Sequence, residues 1–173
     1  AINGSGSNGE PTGILNTSGI GSVAMGTNGG AIDWKHIVAL ETEVNSKNAN
    51  RGRMAYLSNA KVNGALKVTE MATGTARFLL SNEAPKTLNG YPFDWTNLVP
   101  STLTKGTAAS KCSALIFGNF QDLYIGQWGG IDIVVDPYTG ARNGEIIITL
   151  NAWNDVKVVD PKSFAAIVDI TTD

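Results

Sequence analysis

The chain has 173 residues, 42% of them hydrophobic and 16% charged, with 13 Lys plus Arg against 15 Asp plus Glu for a net charge of −2. That is enough apolar residue for one sizeable core, and the charge content is low against the roughly 25% usual for soluble proteins, which leaves neutral surface for contact with other protein. No two Lys or Arg residues are adjacent and no apolar run reaches the length of a membrane span, so neither a nucleic-acid groove nor a transmembrane helix is written here.

The first 32 residues are rich in Gly, Ser, Asn and Thr and read as connecting structure with short strands at most. They contain Gly4-Ser5-Gly6-Ser7-Asn8-Gly9, a literal G-x-G-x-x-G. A dinucleotide loop needs a strand before it and a helix straight after, so that the helix N-terminus meets the pyrophosphate. Here only Ala1-Ile2-Asn3 precedes and Glu10-Pro11-Thr12-Gly13 follows as a turn. The glycines are therefore assigned to the backbone, as a flexible connection.

Asp33 is a good N-cap for "WKHIVALETEVNSK", and Trp34, Ile37, Val38 and Val44 recur at helical spacing, predicting a helix over 33–47. "RMAYLS" (53–58) reads as a strand, and Asn59 caps a second helix through "AKVNGALKVTEMA" despite Gly64. Strand-like runs follow: "RFLL", "GYPFDW", "SALIFGNF", "DLYIGQW" and "IDIVVD". The tail carries a long strand in "EIIITLNAWNDVKVVDP" (145–161) and a last one in "SFAAIVDI" (163–170). The long strand is apolar on both faces at its start, which places it inside a sheet or under another subunit. Helices first and strands afterwards, without a repeat, predict an α+β domain.

Catalytic and metal chemistry is not visible. Cys112 is the one cysteine and His36 the one histidine. No intrachain disulfide can form, which fits an intracellular origin, and the apolar neighbours of Cys112 indicate a packed thiol. Asp132, Asp136 and Asp155 lack the spacing of a calcium loop, Glu41 and Glu43 lie on a helix, and Asp160 marks a strand end. No catalytic residue, metal ligand or cofactor site is expected.

The order of motifs resembles the major capsid proteins of tailed bacteriophages, the HK97-like family. The matching stretches are "AINGSGSNGEPTGILN", the helix from Trp34 to Val44, "MAYLSNAKVNGAL", "LNGYPFDWTNLVP" and "ALIFGNFQDLYIGQWGGIDIVVDPYTGARNGEIIITLNAWNDVKVVDPKSFAAI". Phe93 and Asn119 stand where the family usually has valine and aspartate. The resemblance implies an A domain with a central mixed sheet flanked by helices, plus returning P-domain strands. It divides the chain into a connection (1–32) leaving a spine helix, an A domain (33–135), and a P-domain loop with closing strands (136–173).

It also implies a C-terminal portion of a longer subunit. That portion alone would be a monomer or weak oligomer, whereas the whole protein would form hexamers and pentamers of an icosahedral shell around packaged DNA. Scaffold, portal and decoration proteins are the implied partners, and the place is the virion, assembled in the bacterial cytoplasm. Segment 69–87, with Arg77, Phe78, Glu83 and Lys86, would face the capsomer axis. Segment 136–144, with Tyr138 and Arg142, would lie near threefold contacts. Some members of the family seal their shells with a lysine–asparagine isopeptide bond assisted by a glutamate. The strand over 145–158 has no glutamate beyond Glu145, so no such cross-link is expected. Two other readings remain open: an encapsulin-like compartment shell, and a β-rich carbohydrate-binding module built on Trp95, Trp128, Trp153 and Tyr138.

Overall fold

A computed structural model describes residues 1–81 and 83–172; Asn82, within the 69–87 segment, and Asp173 lie outside the described residues. The elements in chain order are β1 (Gly21–Ser22), α1 (Trp34–Ser46), β2 (Met54–Ser58), α2 (Ala60–Val68), β3 (Thr87–Leu88), β4 (Tyr91–Trp95), β5 (Leu103–Lys105), β6 (Ala108–Asn119), β7 (Leu123–Asp136), β8 (Ile147–Val158) and β9 (Phe164–Thr171). They form a seven-stranded sheet in the order β1-β9-β6-β2-β4-β3, with β5 also on β6, and a separate two-stranded sheet of β7 and β8. The large sheet is mixed: β1/β9 and β2/β4 run parallel, the other pairs antiparallel. The α+β reading holds.

Both helices are started by the residues that the sequence singles out. Asp33 accepts from the His36 amide at 3.2 Å and Asn59 from the Val62 amide at 3.0 Å, each satisfying an otherwise orphan donor. On α1 the buried face is Ile37, Leu40 and Val44, whereas Val38 points outward, a correction to the expected stripe. The α2 helix stops at Val68, short of the expected run to 72. Thr69 turns extended there, its hydroxyl and amide both donating to the Ala65 carbonyl.

Both helices pack on one face of the large sheet. Period-2 alternation sends Leu115 and Phe117 of β6, with Ala165 and Ile167 of β9, into that layer. Ile116, Phe164 and Ala166 point to the opposite face, where Ile14 and Val158 cover them. β6 and β9 are therefore buried on both faces, which explains their continuous apolar runs. At Gly118 a Cβ would sit 2.4 Å from the Phe164 ring, so glycine is what lets the two strands approach. Tyr56 ties the layers together, its buried hydroxyl donating to Glu41 Oε1 at 2.6 Å while Asn89 donates to the same oxygen at 2.7 Å. Burial first, and the Glu41 contact second, push the Tyr56 phenol far above its usual pKa.

Three local readings are corrected. "RFLL" is not a strand: Phe78 and Leu80 make single bridges, while the Leu79 and Leu80 amides donate to Thr69 and Leu66 carbonyls at the end of α2. "DLYIGQW" and "IDIVVD" are one strand, β7, interrupted by a bulge at Gly129 and Gly130. Residues 1–20 form a packed turn: Gly13 donates to Gly4, Ile14 to Ala1 and Leu15 to Ile2, and the Glu10 carboxylate accepts from the amide and hydroxyl of Ser5. Sheet membership changes at β7 and again at β9, so the hairpin spans 123–158 and β9 returns to the large sheet.

Candidate assembly interface

Among the described residues, most of the exposed large apolar side chains lie on the β7–β8 hairpin. Its register puts Ile133 opposite Leu150 and Val135 opposite Ile148, so these four share one face beyond the bulge. Ile133 is 59% and Leu150 64% exposed, and Ile125 extends the same face towards the base. The other face has a different chemistry. Trp128 lies opposite Trp153 with Tyr124 on the same side, and Asp132, Asn151 and Asp155 stand among these aromatics. Trp128 folds back over Gly126, where a Cβ would meet its ring at 3.2 Å. Trp153 is 69% exposed.

The bulge has a clear cause. Three residues of β7 (Gly129, Gly130, Ile131) face one residue of β8 between the Trp128–Trp153 and Asp132–Asn151 pairs, and Gly129 has φ +66°. Glycine supplies that left-handed backbone without a Cβ clash. Because the step from Trp128 to Asp132 is even, the alternation survives and the faces stay distinct.

The hairpin tip is closed by a turn around Asp136. Its carboxylate accepts from the amides of Tyr138 (2.8 Å) and Thr139 (3.1 Å) and from the Thr139 hydroxyl. These bonds, the Thr139 hydroxyl foremost and then the two amides, hold the Asp136 carboxyl below its usual range. The folded turn thus favours the ionised form, so its contribution is complete above the ordinary Asp pKa and disappears as pH falls through the lowered value. In an NMR titration the Tyr138 and Thr139 amides are expected to shift with a midpoint below 3.8, a transition that Asp136→Asn should remove.

The six residues singled out in the sequence fall in two places. Tyr138, 85% exposed, and Arg142, in the short turn Ala141–Asn143, are at the hairpin tip. Arg77, Phe78 and Glu83 line an open cleft of ≈ 580 Å³ beside the buried anchor Leu79-Leu80. Lys86 is exposed next to this cleft, its carbonyl accepting from the Phe93 amide. Among the described residues the ion pairs join Asp33 to Lys35 and His36, Lys47 to Glu43, and Arg51 to Asp160, so Arg77, Glu83, Lys86 and Arg142 are in none of them. The two hairpin faces were not assigned from sequence. The two-sided apolarity of 146–153 was the signal, but it could not separate burial inside a sheet from burial under a second chain.

Other candidates do not assemble into a site. His36 Nδ1 lies 2.5 Å from Asp33 Oδ1 but has no hydrogen-bond partner among the described residues, and the buried Cys112 thiol lies 3.8 Å from the Ala108 carbonyl on its own strand. Among the described residues no three His, Cys, Asp or Glu side chains gather as metal ligands, and no helix is long and apolar enough to cross a membrane. Trp95 lies on β4 in the large sheet, apart from the Trp128–Trp153 pair, so the four aromatics proposed for sugar binding do not make one platform.

This arrangement, a mixed sheet with helices on one face and a long hairpin leaving it, is similar in fold to solved capsid and encapsulin structures. The capsid of a native gene transfer agent particle matches with a TM-score of 0.67 at 21% identity, over 94% of this chain and 57% of that one. A chain of the solved structure of Gordonia phage Cozz matches at 0.62 with 15% identity, over 94% and 52%. The SrpI encapsulin of Synechococcus elongatus matches at 0.60 with 13% identity, over 92% and 57%. At the level of sequence, the major capsid protein of Halomonas phage phiHAP-1 is 29% identical over 155 residues. That match takes in 90% of this chain and 23% of the relative, so the chain spans about a quarter of it. The phage capsid family model matches residues 1–169, and the chain belongs to that family.

Proposed function

We propose that this chain is part of a major capsid protein, a structural subunit that associates into hexamers and pentamers of an icosahedral phage or prophage head enclosing DNA. The observation that carries this reading is the hairpin, which exposes aliphatic residues on one face and tryptophans on the other. A two-stranded hairpin is marginal in water by itself, and apolar surface of this kind is stable only when other protein covers it. Within the assembly, sheet membership suggests a division into a body (the large sheet and its helices) and a projecting hairpin over 123–158, with β9 in the body. Tyr138 and Arg142 at the tip would meet neighbouring subunits near threefold contacts, and Arg77, Phe78, Glu83 and Lys86 would face the capsomer centre. Among the described residues no carboxylate pairs with Arg142, which is suited to pair with one on a neighbour.

The net charge of −2 fits DNA that is packed inside a shell rather than bound by this surface. Scaffold, portal and decoration proteins would be further partners, and the virion head the location. Electron microscopy of the whole gene product is the test. Closed icosahedral particles are the expected result, and a soluble monomer at high concentration would overturn the reading. Particles loaded with an enzyme in place of DNA would instead favour an encapsulin-like compartment, which the similarity to SrpI makes the second reading.

A further inference from the structure

The chain has six Asn-Gly pairs, at Asn3, Asn8, Asn28, Asn63, Asn89 and Asn143. Asparagine is a thermolabile residue, and most so before glycine, which has no side chain to keep its backbone nitrogen away from the neighbouring carboxamide. For the two groups to react, the glycine amide must be unbonded and the asparagine side chain free to swing onto it.

The fold withholds these conditions from most of the pairs. Asn63 and Gly64 lie inside α2, where helical hydrogen bonds fix the backbone. Asn89 is held by its side chain, which donates to Glu41 Oε1 at 2.7 Å. Asn28 Oδ1 accepts from the Thr107 amide at 3.1 Å, and Gly29 is wedged where a Cβ would be 2.6 Å from the Asp169 carbonyl. Asn3 Oδ1 accepts from the Asn16 side chain at 3.4 Å, and Gly4 is buried against the Pro11 carbonyl. At Asn143 the glycine is the held partner, the Gly144 amide donating to the Ala141 carbonyl at 3.2 Å.

Asn8 differs on each count. Asn8 and Gly9 sit at the tip of a turn with φ of 55° and 80°, closed by the Glu10 amide donating to the Ser7 carbonyl at 3.0 Å. Among the described residues no hydrogen bond holds the Asn8 side chain or the Gly9 amide, and a Cβ on Gly9 would meet nothing within 4 Å. A turn tip tied by one backbone bond opens locally at little free-energy cost.

We propose that Asn8-Gly9 is a site of spontaneous covalent modification in the folded protein, where asparagine is converted to aspartate and isoaspartate. The Gly9 nitrogen gives its proton to solvent base and attacks Asn8 Cγ. The new C–N bond closes a cyclic imide as the bond to the side-chain nitrogen breaks, and that nitrogen leaves as ammonia. Water then opens the imide at either carbonyl, returning a carboxylate. The product carries a further negative charge two residues from Glu10, and isoaspartate also lengthens the backbone at the tip of the turn that seats Ile14. The reaction uses this chain's own atoms and water, so it does not depend on the capsid reading.

The test is to incubate the whole protein at mildly alkaline pH, once folded and once in denaturant. Each Asn-Gly peptide is then followed by mass spectrometry, with isoaspartate measured by enzymatic methylation. In the folded protein the Asn8 peptide is expected to convert about tenfold or more faster than each of the others. In denaturant the rates should draw together to within about threefold, because local structure no longer distinguishes them. Asn8→Gln should remove conversion at this position and leave the other peptides unchanged. Conversion of folded Asn8 no faster than the others would overturn the proposal. So would an equal lead for Asn8 in denaturant, which would make the preference a property of local sequence and not of the fold.

Discussion

Leu150→Asp is expected to abolish particle formation by the whole protein while leaving this chain folded. Leu150 is exposed here, and a substitution at an exposed strand position is usually within about 0.5 kcal/mol of neutral for the fold. At a contact with a neighbouring subunit the same carboxylate would be buried without a partner, at a cost of several kcal/mol. Each 1.4 kcal/mol or so is tenfold in affinity, so every such contact weakens by about a hundredfold or more, and a shell repeats the contact many times. Sedimentation should show a subunit or capsomer peak and no particles, with an unchanged circular dichroism spectrum. Leu150→Met, which keeps an apolar side chain of similar volume, should still assemble. Normal shells from Leu150→Asp would mean that this face is not covered in the assembly.

Phe117→Ala is expected to have the largest effect on the fold itself. Phe117 is buried near the end of β6, with ring centroids 4.5 Å from Tyr56 and 5.2 Å from Tyr91. Its removal leaves a cavity between the sheet and α1 and loosens the seat of Tyr56, whose hydroxyl serves Glu41. Truncations of buried Phe to Ala cost about 3–5 kcal/mol. In a domain of this size that corresponds to a fall of roughly 10 °C in Tm, read by calorimetry. Phe117→Leu should recover much of the loss. A fall of only a degree or two would show that α1 collapses readily onto the sheet, so that this aromatic cluster does not anchor it.

The two results separate what was legible in the sequence from what was not. Helices α1 and α2 were readable because Asp33 and Asn59 mark their starts, and local capping depends on nothing distant. β6 and β9 were readable because their runs are apolar enough to need two covered faces. The segment 69–87 was less so, since Leu79 and Leu80 look like a strand but satisfy their amides on the end of α2, a tertiary choice. The opening glycines were read as loose for the same reason. Their order comes from bonds such as Gly13 to Gly4 and from Ile14 packing against Ile116 and Phe164, more than a hundred residues away. The resemblance to capsid proteins, carried by motif order over the whole chain, supplied what pattern alone could not, namely the fold. The Arg51–Asp160 ion pair stayed hidden because both are ordinary polar residues, more than a hundred positions apart, until the chain brings them together.

The strand lengths in the two sheets bear on how growth of the assembly is directed. A β-sheet can recruit foreign strands wherever unpaired amides and carbonyls line its rim, and short terminal strands discourage this. The large sheet finishes at both ends in two-residue strands, β1 and β3, so it offers almost no template. The hairpin is the opposite: β7 and β8 run 14 and 12 residues, and among the described residues each is paired along one side only. Strand recruitment is thereby channelled to the hairpin. Whether such recruitment closes on itself or runs on as a filament depends on the rotation between successive subunits.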